Sequence, residues 1–209
     1  MCIRDSYKSL QDYSKSLSKA IDNVDQSFVD KLEYEILKRI DGSHNIYLIG
    51  NGGSAGNAHH IVGDFSKTFA MLGKSININS LSDNSCYITA LSNDLDYSEV
   101  YEVLINTRVK VNDLLIFLSG SGNSMNLIKA ARRAIKSDIK TAAIVGFTGG
   151  ALKKLVDIPI HLKIEDMEIS EDFQMIVFHY IKQNLYSKLA KESDPLNKYN
   201  KRVNEDLIA

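Results

Sequence analysis

Cysteine is scarce in this chain. Cys2 and Cys86 are the only two in 209 residues, too few for a disulfide framework, and Cys86 lies in an apolar stretch of helical pattern where a reduced, buried thiol is expected. An excess of charge of one sign is missing as well. The 25 Lys and Arg against 26 Asp and Glu leave a formal net charge of −1, which gives neither the basic footprint of a nucleic-acid binder nor a surface for anionic membranes. No apolar run approaches the ~20 residues a membrane-spanning helix needs. No signal peptide is visible, and a reducing cytoplasm is the expected location. Repeats, low-complexity tracts and interdomain linkers are absent too. With 44% hydrophobic residues, the chain suffices for one sizeable core and need not divide. A single domain is expected over residues 7–192, followed by a polar tail at 193–209. The first six residues, Met1 to Ser6, read as the translated tail of a transposon sequencing adapter, so Cys2 is assigned no role and the natural N-terminus is expected to differ.

Two common nucleotide signatures are lacking. The run from Gly50 to His60, GNGGSAGNAHH, has no Gly-Lys-Ser/Thr to make a Walker loop. Its glycine spacing is wrong for a dinucleotide fingerprint, and no acid ends the next strand. What remains is an apolar strand pattern, residues 45–49, a glycine-rich turn, and a helix that begins at a hydroxyl residue. Free N–H groups at such a turn receive anions. A second apolar run, Leu114 to Leu118, ends in Ser119-Gly120-Ser121-Gly122-Asn123-Ser124 and passes into a helical pattern through Leu127, Ile128, Ala131 and Ile135. Serines there could serve as helix caps alone. Two such loops at strand carboxyl ends point instead to a small phosphorylated ligand, on the edge where open α/β sheets bind.

The elements alternate. Amphipathic stretches from about residue 6 to 21 and 28 to 40 predict two N-terminal helices. Strand patterns follow at 45–49, 75–80, 114–118, 141–146 and 156–162, with helical patterns near 54–72, 83–91, 96–109, 124–137 and 149–155. The spacing predicts a long C-terminal helix from about Glu171 to Lys191, capped by Ser170. The fold class is therefore α/β: a three-layer αβα sandwich on a five-stranded parallel sheet.

Three segments together resemble the sugar isomerase domain family, and within it the phosphoheptose isomerase branch, over roughly residues 10–190. They are GNGGSA with His59-His60, Ser92-Asn93-Asp94 after Leu91, and Ser119-x-Ser121-Gly-Asn-Ser124. The resemblance implies that Ser119, Gly120, Ser121 and Ser124 cradle the phosphate. Gly120 stands where that branch carries Thr, so one hydroxyl donor is lost while the backbone N–H remains. Asn51, Gly52, Gly53 and Ser54 match positions that contact the sugar or phosphate, and Asp94 matches a sugar-contacting carboxylate. A helix-capping role for Asp94 ahead of Tyr97 and Val100 is the alternative.

His60 and Asp64 lie four residues apart on one helix, so their side chains share a face, the spacing that sets two ligands on one ion or a base beside a ligand. An exposed His–Asp pair is the plain alternative. The resemblance implies more: Asp64 and His179 as the acid/base pair, and His60, Asp64, Glu171 and His179 as ligands for zinc. Asp64 replaces the branch's Glu, one methylene longer, and Glu171 replaces its Gln. Glu171 is also expected near the substrate. A first-turn helix acid is its alternative role, and Gln174 is the fallback for the Gln position. Eight residues on a helix rise about 12 Å and rotate about 80°, so Glu171 and His179 of one chain can scarcely hold one ion. The family's homotetramers with interfacial sites accord with that. A phosphorylated sugar and other copies of this chain are the expected partners, without nucleic acid or membrane. An aldose–ketose isomerase is expected, with a non-catalytic phosphosugar-binding module, or an isomerase of another ketose phosphate, as the alternative.

Overall fold

The computed structural model describes residues 7–190; the adapter-like first six residues and the expected polar tail lie outside the described residues. Five parallel strands, β1 (Asn45–Gly50), β2 (Asn77–Ser80), β3 (Leu114–Ser119), β4 (Lys140–Val145) and β5 (Ile158–His161), form one sheet in the order β2-β1-β3-β4-β5. Side chains alternate between its faces, as the strand period of two requires. Ile46, Leu48, Leu114, Ile116, Leu118, Ala142 and Ile144 face one core; Tyr47, Ile49, Leu115, Phe117, Ala143 and Val145 face the other. Because crossover helices cover both faces, β3 is buried along its whole length.

The helices are α1 (Leu10–Ile21), α2 (Gln26–Leu37), α3 (Gly53–Met71), α4 (Ser85–Asp94), α5 (Val100–Arg108), α6 (Met125–Lys136), the single turn α7 (Leu152–Leu155) and α8 (Met167–Leu189). Residues of α2, α3 and α8 fill the first core, and those of α5, α6 and α7 the second. The predicted three-layer sandwich is what forms.

Three local expectations are corrected. The C-terminal helix begins at Met167 rather than Glu171, because the Asp166 carboxylate accepts from the Ile169 N–H at 2.9 Å and caps it. Ser170 does not cap; its hydroxyl donates back to the Asp166 carbonyl. Cys86 is exposed, not buried. It sits on α4, a rim helix with no buried residue, from which Ile88 and Leu91 reach the core only in part. Asp94 is the last residue of α4 and accepts from the Asn93 amide at 2.9 Å; the residue at the N-cap of α5 is Glu99.

Helices α3 and α8 run side by side in the same direction, joined by buried polar groups. Gln174, with no exposed surface, donates through Nε2 to Ser54 Oγ at 3.1 Å and accepts through Oε1 from Asn57 Nδ2 at 2.9 Å. Asn57 Nδ2 also reaches the Glu171 carbonyl at 3.0 Å. Two turns on, Phe178 meets Phe65 edge to face, ring centroids 5.8 Å apart. Replacing Gln174 with leucine strips partners from groups that water cannot reach. Urea unfolding should show a loss of about 1–3 kcal/mol; a midpoint equal to that of the native protein would mean the polar joint is dispensable.

Candidate functional site

Strand order reverses between β1 and β3: the chain leaves β1 through α3 toward β2, and leaves β3 through α6 toward β4. The crevice beyond the carboxyl ends of those two strands is where an open sheet of this kind takes ligands. Both loops singled out in the sequence open there. Asn51 from the first pairs its amide with that of Asn126, on α6, through two hydrogen bonds of 2.9 Å, and its Oδ1 also accepts from the Tyr97 hydroxyl at 2.8 Å. Gly50 is tied from below, its carbonyl accepting from the Tyr101 hydroxyl at 2.7 Å. Asn51 is therefore fixed across the crevice before any ligand arrives.

The second loop turns back on its own backbone. Ser119 Oγ accepts from the Gly122 N–H at 3.1 Å and Ser121 Oγ from the Asn123 N–H at 3.2 Å, which curls residues 119–124 around their own backbone. Ser124 stands at the N-cap of α6 with extended backbone and no side-chain capping bond, so its hydroxyl is not committed to the helix whose first-turn N–H groups are orphaned. The loop is held from behind. The N–H of Gly146 donates to the Gly120 carbonyl at 2.8 Å, that of Leu152 to the Gly122 carbonyl at 3.1 Å, and that of Ala151 to Asn123 Oδ1 at 3.0 Å. Gly122, at φ 66°, lies against the Gly149 carbonyl, where a Cβ would collide. A Cβ on Gly120 would strike the Met167 thioether. The side chain of Met167, the first residue of α8, thus occupies the space beside residue 120.

The first loop is occupied by the protein itself. Gly52 takes φ 53°, a conformation open to glycine, and Gly53 has no room for a Cβ because the Glu171 carboxylate lies on it. Burial pushes the pKa of that carboxylate up, helped by the charges of Glu168 and Asp172 and opposed by Ser54. The acidic group at the start of α3 is therefore Glu171. In this arrangement the β1 loop is closed by a side chain, and the β3 loop is not.

His60, Asp64 and His179 do come together. Their ligating atoms lie within 4.8 Å of one another. Asp64 Oδ2 is 3.8 Å from His179 Nε2, and the His60 and His179 rings meet edge on with centroids 5.7 Å apart. Burial pushes the His179 pKa below the ordinary histidine value, assisted by the charges of Lys182 and His60 and opposed by Asp64, so its imidazole is neutral near pH 7. Glu171 is not in this group. It lies two turns earlier on α8, against the start of α3, as the eight-residue separation requires. Gln174 is consumed by Ser54 and Asn57.

Two imidazoles and a carboxylate are suitable donors for zinc or another divalent ion. The charge around them is not suited to one. Lys182, one turn beyond His179, donates its ammonium directly to Asp64 Oδ2. The carboxylate oxygen that faces His179 is thereby neutralised from within the chain. The residues present do not make an open metal site, and no chemistry is assigned to an ion.

Lys182 escapes a motif-based reading, although its i+3 spacing from His179 places both on one helix face. Asn126 and Tyr97 escape it too, since their role depends on β1 and β3 being neighbours. His59 stands off the group, its Nε2 3.4 Å from the Ser82 hydroxyl, and His161 Nε2 lies 2.9 Å from the Phe147 carbonyl.

Comparison with known proteins agrees with this geometry. Residues 10–146 match the SIS domain family model. A probable phosphoheptose isomerase of Thermoplasma volcanium is 30% identical over 82% of this chain and 88% of its own length. A phosphoheptose isomerase of Helicobacter pylori is 27% identical, with 81% and 88% covered. Among solved structures, a phosphoheptose isomerase from Francisella tularensis superposes with a TM-score of 0.75 at 19% identity, over 88% of this chain and 100% of that one. With the family model spanning most of the sheet and both loops, this chain belongs to the SIS domain family.

Proposed function

We propose that the protein is an aldose–ketose isomerase of a phosphorylated sugar, interconverting sedoheptulose 7-phosphate and a heptose 7-phosphate for surface-glycan heptose synthesis in the cytoplasm. The observation that carries this reading is the meeting of Asp64 and His179, from different helices, in a domain whose β3 loop is shaped for a phosphate. A module that only bound phosphosugars would need no such pair. The phosphoheptose isomerase names of the relatives supply the substrate.

The reaction moves one hydrogen between neighbouring carbons, C1 and C2, and one proton between their oxygens. Nothing is gained or lost overall. A carboxylate at Asp64 takes the carbon-bound proton and returns it to the neighbouring carbon, while the neutral imidazole of His179 passes the proton between the two oxygens. Ser119, Ser121, Ser124 and the N–H of Gly120 hold the phosphate, and Asn51 and Asp94 are assigned to the sugar hydroxyls. Gly52, Gly53 and Ser54 shape the adjoining wall, with Glu171 behind them. The zinc that family resemblance implies is given no part in these steps, because Lys182 already engages Asp64.

Assembly belongs to the same reading. His60 is exposed and His179 nearly half exposed, while Leu10 on α1 and Tyr34 on α2 show 78% and 59% of their surface. Copies of the chain that cover these helices would enclose the reacting groups, and a tetramer of D2 symmetry does so with self-complementary contacts.

Replacing Ser121 and Ser124 together with alanine removes two hydrogen bonds to a charged group, each worth about 1.5–3 kcal/mol. Calorimetric affinity for sedoheptulose 7-phosphate should fall by more than about tenfold while the melting temperature barely moves; unchanged affinity would place the phosphate elsewhere. Asp64→Asn and His179→Ala should each slow turnover by about 10²–10⁴-fold with phosphosugar binding retained. Full activity in Asp64→Asn, or no turnover by the native protein on any five-, six- or seven-carbon sugar phosphate, rejects the assignment. Light scattering should report a tetramer at micromolar concentration, and an active monomer contradicts it.

A further inference from the structure

We infer that Lys182 is a built-in cation of this site, standing where a divalent ion would otherwise balance Asp64, so that the Asp64–His179 pair is held without metal. The inference rests on the isomerase reading only for what the pair is used for; the geometry and charge around Asp64 stand apart from it.

Three observations converge. Lys182 and His179 project from one face of α8, one turn apart, and both address the same oxygen, Oδ2 of Asp64. The ammonium is in hydrogen-bond contact with that oxygen, whereas the imidazole nitrogen is 3.8 Å away. Asp64 is thus bonded to a cation before an ion arrives, and its short side chain, anchored on α3, is drawn toward α8. Lys182 is also only one-fifth exposed, so its charge is poorly screened by solvent.

The charge count points the same way. The cluster holds one carboxylate, one ammonium and two imidazoles; Glu171, the second carboxylate the sequence offers, is spent at the start of α3. The carboxylate and ammonium cancel. A divalent ion bound by His60, Asp64 and His179 would sit beside the Lys182 ammonium, and among the described residues the cluster holds no second carboxylate to compensate it. Asp64 and Lys182 also border a cavity of about 270 Å³. In such surroundings a zinc ligand set loses its advantage, since groups around the donors govern metal affinity as strongly as the donors themselves.

Lys182 is therefore a positioning residue: it fixes Asp64 and keeps its carboxylate turned toward His179. The proposal is tested with the full chain stripped by chelator and titrated with Zn²⁺ against a chromogenic competitor. Native protein and Lys182→Arg should bind zinc equally weakly. Lys182→Met should bind one ion per protomer about tenfold or more tightly, and adding His60→Ala should abolish that gain. Circular dichroism checks folding, and Lys182→Gln replaces the Met variant if the latter does not fold. Zinc bound to the native protein as tightly as to the neutral variant overturns the proposal, as does a neutral variant that gains nothing. Turnover of the native enzyme should be insensitive to chelator. If no sugar phosphate is turned over at all, the isomerase reading fails while the zinc titration still decides the role of Lys182.

Discussion

The register between α3 and α8 is the constraint on which this site depends, and one buried amide sets it. Gln174 is satisfied only when Ser54 and Asn57 lie opposite it. A slip of α8 along α3 would leave polar atoms unpaired in the core, at a cost of several kcal/mol when both ends are lost. With that register held, Glu171 falls on the start of α3, and His179 and Lys182 fall on His60 and Asp64. Parallel packing makes the offsets match. Seven residues separate Gly53 from His60 on α3, and eight separate Glu171 from His179 on α8, so two contacts made by one helix meet two made by the other.

The same joint divides labour between the two loops at the switch point. Each ends a central strand and starts a helix, and each is therefore electropositive. The loop after β1 is neutralised internally by Glu171, which fits only because residue 53 is glycine. The loop after β3 keeps its hydroxyls and first-turn N–H groups for a ligand. An isomerase gains from this asymmetry. On the proposed reading, a single phosphate has one place to bind, and the substrate lies in one direction. Asn51, tied to Asn126 across the crevice, makes the two loops one rigid edge.

Much of this was legible in the sequence, for identifiable reasons. The strands were readable because Leu114 to Leu118 and Asn45 to Ile49 are apolar runs closed by glycine, and the sandwich followed from their alternation with helices. The pairing of His60 with Asp64 followed from helical spacing alone. What the sequence hid depended on contacts between distant segments. The start of α8 was misplaced because Asp166 and Ser170 are both good caps, and only tertiary placement chooses between them. Cys86 read as buried because Ile88 and Leu91 give α4 an apolar pattern, yet a rim helix has little core to face. The contact of Lys182 with Asp64 needed the α3–α8 register, which no local pattern contains. Gly120 looked like a lost donor, and only the Met167 side chain explains what replaced it.

The proposed substrate sets how far apart phosphate anchor and reacting pair must lie. An extended seven-carbon chain with a terminal phosphate measures roughly 9–10 Å from phosphorus to C1, at ordinary bond lengths. Such a molecule carries its charge at one end and its reacting carbons at the other, so anchoring and chemistry must be about one sugar length apart. A site with both at the strand edge would serve a three-carbon substrate better. Because the α3–α8 joint fixes the reacting pair two turns from the start of α3, the place of the base is set by rigid backbone rather than by a loop. That is the condition under which a proton-transfer group keeps its reach to one particular carbon.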